Sequence, residues 1–234
     1  MKKILVVLMA LMLGTGAFAE TLYFETDVNM KNYWEKNGKD EQKVMTVAQK
    51  ILYANKINKR IPLEVKRNTT TINATSNPYY KTVTMYTGML PYFDNDDELA
   101  YVLSHEIAHS IDSYGGAIKL VAMNVNSKSY EMKADLKGID YMVTAGYNPV
   151  AAIIMGTKLF QEPIWDWGFT STHPKGSKRV MAMYKYIYKK YPQYLTSEMT
   201  KNIVYQNFLL AMDKEIKAFH AKEKSRNHIK NGDL

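Results

Sequence analysis

Two histidines and a glutamate occur together in the segment His105-Glu106-Ile107-Ala108-His109. Successive residues of an α-helix are rotated by about 100°, so His105 and His109 lie on one face and both imidazoles can bind the same divalent ion. Glu106 lies beside them, where its carboxylate can take a proton from a water molecule on that ion. The spacing therefore predicts a metal site that activates water for a hydrolytic reaction.

A third ligand is expected, because catalytic zinc usually has three protein ligands and one open position for water. It must be His, Asp or Glu, because the chain contains no cysteine. The pattern that adds a third histidine shortly afterwards needs glycine at position 112 and histidine at position 115, and the chain has Asp112 and Gly115. Glu131 is the better candidate. Asp135 follows it by one helical turn and can accept the spare N–H of a ligand imidazole.

A capped helix is predicted to carry the two histidines. Asn95 and Glu98 have the spacing of a capping box, and Gly115 and Gly116 mark the end of the helix near Tyr114. The apolar residues fall on the side opposite the histidines: Ala100, Leu103, Ile107 and Ile111. This pattern buries one side of the helix in a core and leaves the histidines facing a cleft.

Hydrophobic periodicity predicts the elements around this helix. An amphipathic helix is expected over residues 27–55, and two or three strands over 61–87 with a turn at 77–78. Further helices are expected over 129–145, 149–160, 174–190 and from 197 to about 222. The chain has no internal repeat or interdomain linker, so we expect one mainly helical α+β domain with a small β-sheet beside the helix of the histidines.

The N-terminal residues have the pattern of a secretory signal peptide. Lys2 and Lys3 precede an apolar run over residues 4–13, which is too short to span a bilayer, and a small-x-small site ends at Ala19. We therefore expect a signal peptide over 1–19, a folded domain over 20–224, a basic flexible tail over 225–234, and an exported protein that is periplasmic or secreted.

The absence of cysteine excludes a disulfide-bonded fold, a thiolate zinc finger and a cysteine protease.

The charge of the chain is basic but does not indicate nucleic-acid binding. Removal of residues 1–19 takes away two lysines and no acidic residue, which lowers the formal net charge from +8 to +6. Only four of the 31 basic residues are arginines, the residues best suited to reading bases. This composition favours a solvated surface and leaves open a peripheral contact with membranes or anionic envelope polymers; nothing in the sequence decides the oligomeric state.

Several short motifs resemble, in their order, the landmarks of the zinc metallopeptidase family that contains the CAAX prenyl protease and the heat-shock protease HtpX. They extend over about residues 73–179, close to half of the chain. The motifs are Asn73-Ala74, Val83 to Leu90, Asp97 to Ala100 leading into His105-Glu106-x-x-His109, Glu131-x-x-Ala134-Asp135-x-x-Gly138, Ala145 to Pro149, and Thr172-His173-Pro174. The resemblance implies a zincin-type fold of the gluzincin class, in its small exported branch.

The resemblance also implies roles for individual residues. One zinc ion per chain would be held by His105, His109 and Glu131, with Glu106 as the catalytic base and Asp135 behind the site. An edge strand near Val83 to Thr87 would pair with an extended substrate, which assigns substrate binding to Asn73, Ala74, Val83 and Met85. His173 would stabilise the oxyanion, and Arg179 would brace the site.

The function expected from these features is that of a zinc endopeptidase that cleaves unfolded or flexible proteins of the cell envelope as part of quality control. Two other functions stay open on sequence alone. One is a non-catalytic zinc-containing chaperone or adaptor that binds unfolded exported proteins, which the intact Glu106 disfavours. The other is a structural protein attached to anionic lipids or wall polymers by the basic residues 222–234. No feature of the sequence identifies a natural substrate.

Overall fold

A computed structural model of the chain describes residues 22–23, 30–116, 127–160 and 176–230, with side chains over 38–116, 127–160 and 176–226. The chain divides into two compact units, Met1–Pro149 and Val150–Leu234, and each is described by itself. The predicted fold class is confirmed, because the described residues are mainly helical and a small sheet accompanies the helices. Within the described ranges, no helix has both the length and the apolar character needed to cross a membrane.

Three helices form the main part of the first unit: α1 Met30–Ala54, α2 Asp96–Ser113 and α3 Ser127–Thr144. Helix α1 contains a kink at Gly38, whose φ of 88° is readily adopted only by glycine. The apolar residues that predicted α1 are buried, among them Val44, Val47 and Ile51. Helix α2 packs against both α1 and α3 and so occupies the centre of this unit.

The sheet of the first unit consists of β1 Leu22–Tyr23, β2 Ile61–Lys66, β3 Ala74–Asn77 and β4 Thr82–Tyr86. The order of the strands is β1-β2-β4-β3. Strands β2 and β4 are parallel, with Leu63 opposite Val83, whereas β3 and β4 form an antiparallel hairpin, with Ala74 opposite Met85. Strand β3 therefore ends the described sheet, and it lies against α2.

The prediction of an edge strand near residues 83–87 is wrong. Strand β4 is paired with β2 on one side and with β3 on the other, so neither side is open to a substrate strand. Val83 and Met85 are fully buried and Thr84 is nearly so, as expected for a central strand with both faces covered. Val83 and Met85 therefore belong to the core, and the edge of the sheet is the strand that begins at Ala74.

Helix α2 begins where the capping pattern predicts. The Asn95 side chain accepts a hydrogen bond from the backbone N–H of Glu98 at 3.0 Å. The Glu98 carboxylate in turn accepts from the N–H of Asp94 at 3.1 Å, one residue earlier than the reciprocal bond of a capping box. Three acidic residues in the first turn, Asp96, Asp97 and Glu98, interact favourably with the positive end of the helix dipole.

The described residues of the second unit form helices joined by short connections. It contains α4 Val150–Leu159, α5 Gly176–Lys190, two short 3-10 helices at Pro192–Thr196 and Glu198–Lys201, α6 Ile203–Ala211 and α7 Asp213–Lys230. Helix α4 is buried from Val150 to Gly156 and packs against α5 and α6. Tyr184 of α5 makes ring contacts with Phe208 of α6 and Phe219 of α7.

The prediction of one helix from Ser197 to about Lys222 is wrong. Asn202 accepts a hydrogen bond from the N–H of Val204 at 2.8 Å and so starts a new helix after the 3-10 turn. That helix ends at Met212, where φ is −108° and ψ is 16°, and α7 then continues to Lys230. The spacing of the apolar residues does not reveal this break, because short helices that pack on one core share the same periodicity.

We predict that Asn95→Ala lowers the free energy of unfolding by about 1 kcal/mol, because the N–H of Glu98 loses its hydrogen-bond acceptor. Asn95→Asp should have little effect, since a carboxylate oxygen at the same position accepts the same bond. Chemical denaturation of the three proteins measures both changes. Equal stability of Asn95→Ala and the unsubstituted protein would contradict the role of this cap.

Candidate metal centre

The structure brings the three predicted ligands together on α2 and α3. Nε2 of His105 lies 3.2 Å from Nε2 of His109. The carboxylate oxygens of Glu131 lie 3.3 Å from Nε2 of His109 and 3.7 Å from Nε2 of His105. Within the described parts of the chain, this is the group of side chains whose ligand atoms converge closely enough to hold a metal ion.

The spacing of these atoms fits a tetrahedral zinc ion. Bonds of about 2.0–2.1 Å at tetrahedral angles separate the ligand atoms by about 3.4 Å. The two imidazole nitrogens are 3.2 Å apart, and each lies 3.3–3.7 Å from one of the two Glu131 oxygens. Two imidazole nitrogens and one carboxylate oxygen are ligands that zinc accepts, and they leave one position for water. The side chains of His105, His109 and Glu131 are 13%, 12% and 19% exposed, so the cluster is largely buried but accessible from one side.

Asp135 fixes the orientation of the His105 ring. Its Oδ1 lies 3.0 Å from Nδ1 of His105, and the same oxygen accepts a hydrogen bond of 3.0 Å from the hydroxyl of Tyr101. With Nδ1 as the donor, Nε2 of His105 is the nitrogen that is left for the metal. Asp135 and Tyr101 are almost completely buried, which makes the arrangement rigid.

The electrostatic environment of the cluster favours a cation. Burial lowers the pKa of His105, but the hydrogen bond that Asp135 accepts from its ring and the negative charges of Asp135, Glu106 and Glu131 outweigh this effect, and the pKa is raised. The same carboxylates that favour a proton on the imidazole also favour a divalent ion beside it. A metal ion therefore satisfies a requirement for positive charge that the buried acidic side chains create.

Glu106 lies beside the cluster with the properties of a general base. It is buried, and desolvation raises the pKa of its carboxyl group, while His105, His109 and a hydrogen bond with Ser76 act in the opposite direction. A carboxylate with a raised pKa takes up a proton more readily at neutral pH than an exposed one. Ser76 belongs to β3, so this hydrogen bond connects the base to the edge of the sheet.

Gly138 determines how closely α3 can approach α2. A Cβ atom at this position would lie 3.1 Å from the backbone nitrogen of His105 and 3.2 Å from its Cα. Contacts this short with a helix backbone are rarely tolerated, so any larger residue would push the two helices apart. The glycine therefore permits the spacing at which Glu131 reaches the histidines.

The other residues predicted to belong to the site are not part of the group of candidate metal ligands. Asn73 and Ala74 are at the start of β3, and the carbonyl of Asn73 accepts a hydrogen bond from the N–H of Tyr86 at 3.1 Å. Arg179 belongs to the second unit, where it is buried and its guanidinium lies 3.9 Å from the centre of the Phe160 ring. Its bracing role stays a prediction, and His173 lies outside the described residues.

Two residues at the site were missed by the sequence analysis. Tyr101 is four residues before His105, and this helical spacing on the ligand face could have identified it. Ser76 has no such signal, because its approach to Glu106 depends on how β3 packs against α2.

Comparisons with known proteins match the chain to metallopeptidases, as the candidate metal centre suggests. Residues 38–115 match Peptidase family M48, a stretch that includes His105, Glu106 and His109 and ends before Glu131. The mitochondrial metalloendopeptidase OMA1 of Arabidopsis thaliana is 29% identical over 46% of this chain, and the chain spans only 28% of the length of that relative. No solved structure matches the chain. The predicted resemblance to a zinc metallopeptidase family is confirmed, and zinc is the ion that this family uses.

We predict that Asp135→Asn weakens zinc binding by about 10- to 100-fold, because the His105 ring loses the negative charge that orients it and raises its basicity. Competition with a chromophoric chelator measures the change. Asp140→Asn is the matched control, since it makes the same chemical change on the same helix. Equal zinc affinities of the two variants would show that Asp135 does not support the metal.

Proposed function

We propose that this protein is a zinc-dependent endopeptidase that hydrolyses peptide bonds in unfolded or flexible polypeptides. The observation that carries this proposal is the position of Glu106. Its carboxylate lies beside the two predicted histidine ligands and is hydrogen-bonded to Ser76 on the edge strand β3. A base, a group of candidate metal ligands and a strand that can hold a peptide therefore occur at one place.

The proposed chemistry uses few side chains. A bound zinc ion supplies Lewis acidity and lowers the pKa of a water molecule toward about 7. Glu106 takes the proton of the attacking water and passes it to the leaving amine, a role that suits a buried carboxylate with a raised pKa. Asp135 and Tyr101 hold the His105 ring in place during this cycle. Stabilisation of the oxyanion by His173 remains part of the proposal.

Strand β3 is the proposed docking site for the substrate backbone. Asn73 is bonded to β4 through its carbonyl, and antiparallel pairing alternates, so the backbone groups of Ala74 and Ser76 point away from β4. An extended peptide can add to this edge through main-chain hydrogen bonds. Such recognition depends little on the side chains and requires a segment that can become extended, which favours unfolded or flexible substrates.

The cellular setting belongs to the proposal as well. The signal-peptide pattern of residues 1–19 supports export and processing near Ala19. An exported peptidase that recognises extended backbone is suited to removing misfolded envelope proteins. The Arabidopsis thaliana relative is named for mitochondria, and this location is not transferred to the present chain.

We predict that Glu106→Gln lowers the rate of casein cleavage roughly 100-fold or more while zinc remains bound, because the amide cannot accept the proton of the water molecule. Both proteins are expressed with the N-terminal leader, purified, and assayed for zinc content and for proteolysis. Glu64→Gln is the matched control, since Glu64 lies half-exposed on β2. Removal of zinc by a chelator should abolish cleavage, and added zinc should restore it.

The possible outcomes separate the candidate functions. Stoichiometric zinc in both proteins with cleavage only when Glu106 is intact supports the endopeptidase. Stoichiometric zinc and binding of unfolded casein without any cleavage would favour the chaperone or adaptor. Loss of zinc from the unsubstituted protein would contradict the assignment of the metal ligands.

A further inference from the structure

Two large aromatic side chains project into solvent beside the candidate site. Tyr79 is 73% exposed and Tyr80 is 77% exposed, and they are adjacent in the turn that connects β3 with β4. Neither side chain belongs to the core, to the group of candidate metal ligands, or to the recorded partners of Glu106. Two neighbouring exposed aromatic side chains offer apolar area that can contact another molecule.

The turn that carries the tyrosines is held in a fixed conformation. The Asn77 side chain accepts hydrogen bonds from the backbone N–H groups of Tyr79, at 2.9 Å, and Tyr80, at 3.1 Å. Lys81 follows with a positive φ of 62°, in the left-handed region that ends many turns. The backbone from which the two side chains project is therefore fixed.

The same turn is attached to the C-terminal end of α2. The hydroxyl of Ser110 donates a hydrogen bond of 2.7 Å to the carbonyl of Lys81. The ammonium of Lys81 donates to the carbonyl of Ser113 at 3.1 Å. Ser110 directly follows His109, so the tyrosines are connected through few bonds to the helix that carries two of the ligands.

The length of chain between Ser76 and the tyrosines limits which residues of a bound peptide can contact them. Ser76 is hydrogen-bonded to Glu106, and Tyr79 and Tyr80 follow Ser76 by three and four residues. Three and four residues span at most about 10–14 Å when fully extended, and the chain turns after Asn77, so the Cα atoms of Tyr79 and Tyr80 lie no farther than this from that of Ser76. A peptide extended along β3 covers the same distance in three or four residues. Its residues two to four positions from the bond beside Glu106 therefore come near the turn that carries the tyrosines.

We propose that Tyr79 and Tyr80 form a contact site for an aromatic or large aliphatic side chain located two to four residues from the cleaved bond. The inference rests on the proposed function, because it takes β3 as the docking strand and Glu106 as the position of the bond. The occupant is an extended peptide because the tyrosines lie in the turn that directly follows β3, the strand that ends the described sheet and is the proposed docking strand. Tyrosine suits this role, since it offers a large contact area and loses little conformational freedom on binding.

The test measures peptide binding to the zinc-loaded Glu106→Gln protein, which separates binding from cleavage. Two fluorescein-labelled 12-residue peptides of Gly, Ser and Thr are compared, one with Phe at every fourth position and the other with Ser there. Fluorescence anisotropy should show about tenfold tighter binding of the Phe peptide, which corresponds to about 1.4 kcal/mol. Adding Tyr79→Ser and Tyr80→Ser together should remove this preference and leave binding of the Ser peptide unchanged.

Tyr53→Ser is the matched control, because Tyr53 is 60% exposed and lies on α1. It should keep the preference for the Phe peptide. The inference would be overturned if the Glu106→Gln protein with both tyrosines intact bound the Phe and Ser peptides equally, or bound neither. Self-association that the tyrosine substitutions abolish would also overturn it, since the occupant would then be a second copy of the chain.

Failure of this inference is distinguishable from failure of the proposed function. Cleavage of casein by the protein with intact Glu106 decides whether the chain is an endopeptidase. The Phe preference of the Glu106→Gln protein decides whether the tyrosines contact the peptide. Cleavage sites mapped in casein should also show aromatic and large aliphatic residues two to four positions from the cut, and the tyrosine double variant should lose this enrichment.

Discussion

The close packing of α2 against α3 is the constraint on which the metal site depends. His105 and His109 come from one helix and Glu131 and Asp135 from the other, so the cluster exists only where the two backbones approach closely. Gly138 permits this approach, because a Cβ atom there would lie 3.1 Å from the nitrogen of His105. A glycine weakens an isolated helix by about 1 kcal/mol relative to alanine. At position 138 the close contact between α2 and α3 nevertheless favours glycine, because it has no Cβ atom.

Charge and burial act together at this packing surface. Three carboxylates, those of Glu106, Glu131 and Asp135, lie around two imidazoles in a largely buried environment. Buried carboxylates are costly unless they are hydrogen-bonded or neutralised by a cation. Tyr101 and Ser76 supply hydrogen bonds to two of them, and a zinc ion would supply the positive charge. The arrangement that prepares the site for a metal thus also explains the raised pKa of Glu106.

The β3–β4 hairpin connects this centre to the surface. Ser76 contacts Glu106 near the C-terminal end of β3, and Ser110 and Ser113 of α2 bind Lys81 in the turn that follows the same end. Both the open edge of the sheet and the exposed tyrosines are therefore held by the helix that carries the histidines. Because these parts are attached to one helix, β3 and the turn after it have a set position relative to Glu106.

Local residue patterns were sufficient to predict α2 and its chemistry. The cap at Asn95, the histidines four residues apart and the acidic pair Glu131 and Asp135 all depend on helical spacing, which is a property of neighbouring residues. Tertiary structure decided which strand is the edge. Val83 and Met85 alternate in the same way whether β4 is central or exposed, and only its pairing with both β2 and β3 shows that it is central. The contact of Ser76 with Glu106 was also set by packing between separate elements, because a hydrogen bond between residues distant in sequence leaves no periodic pattern in the chain.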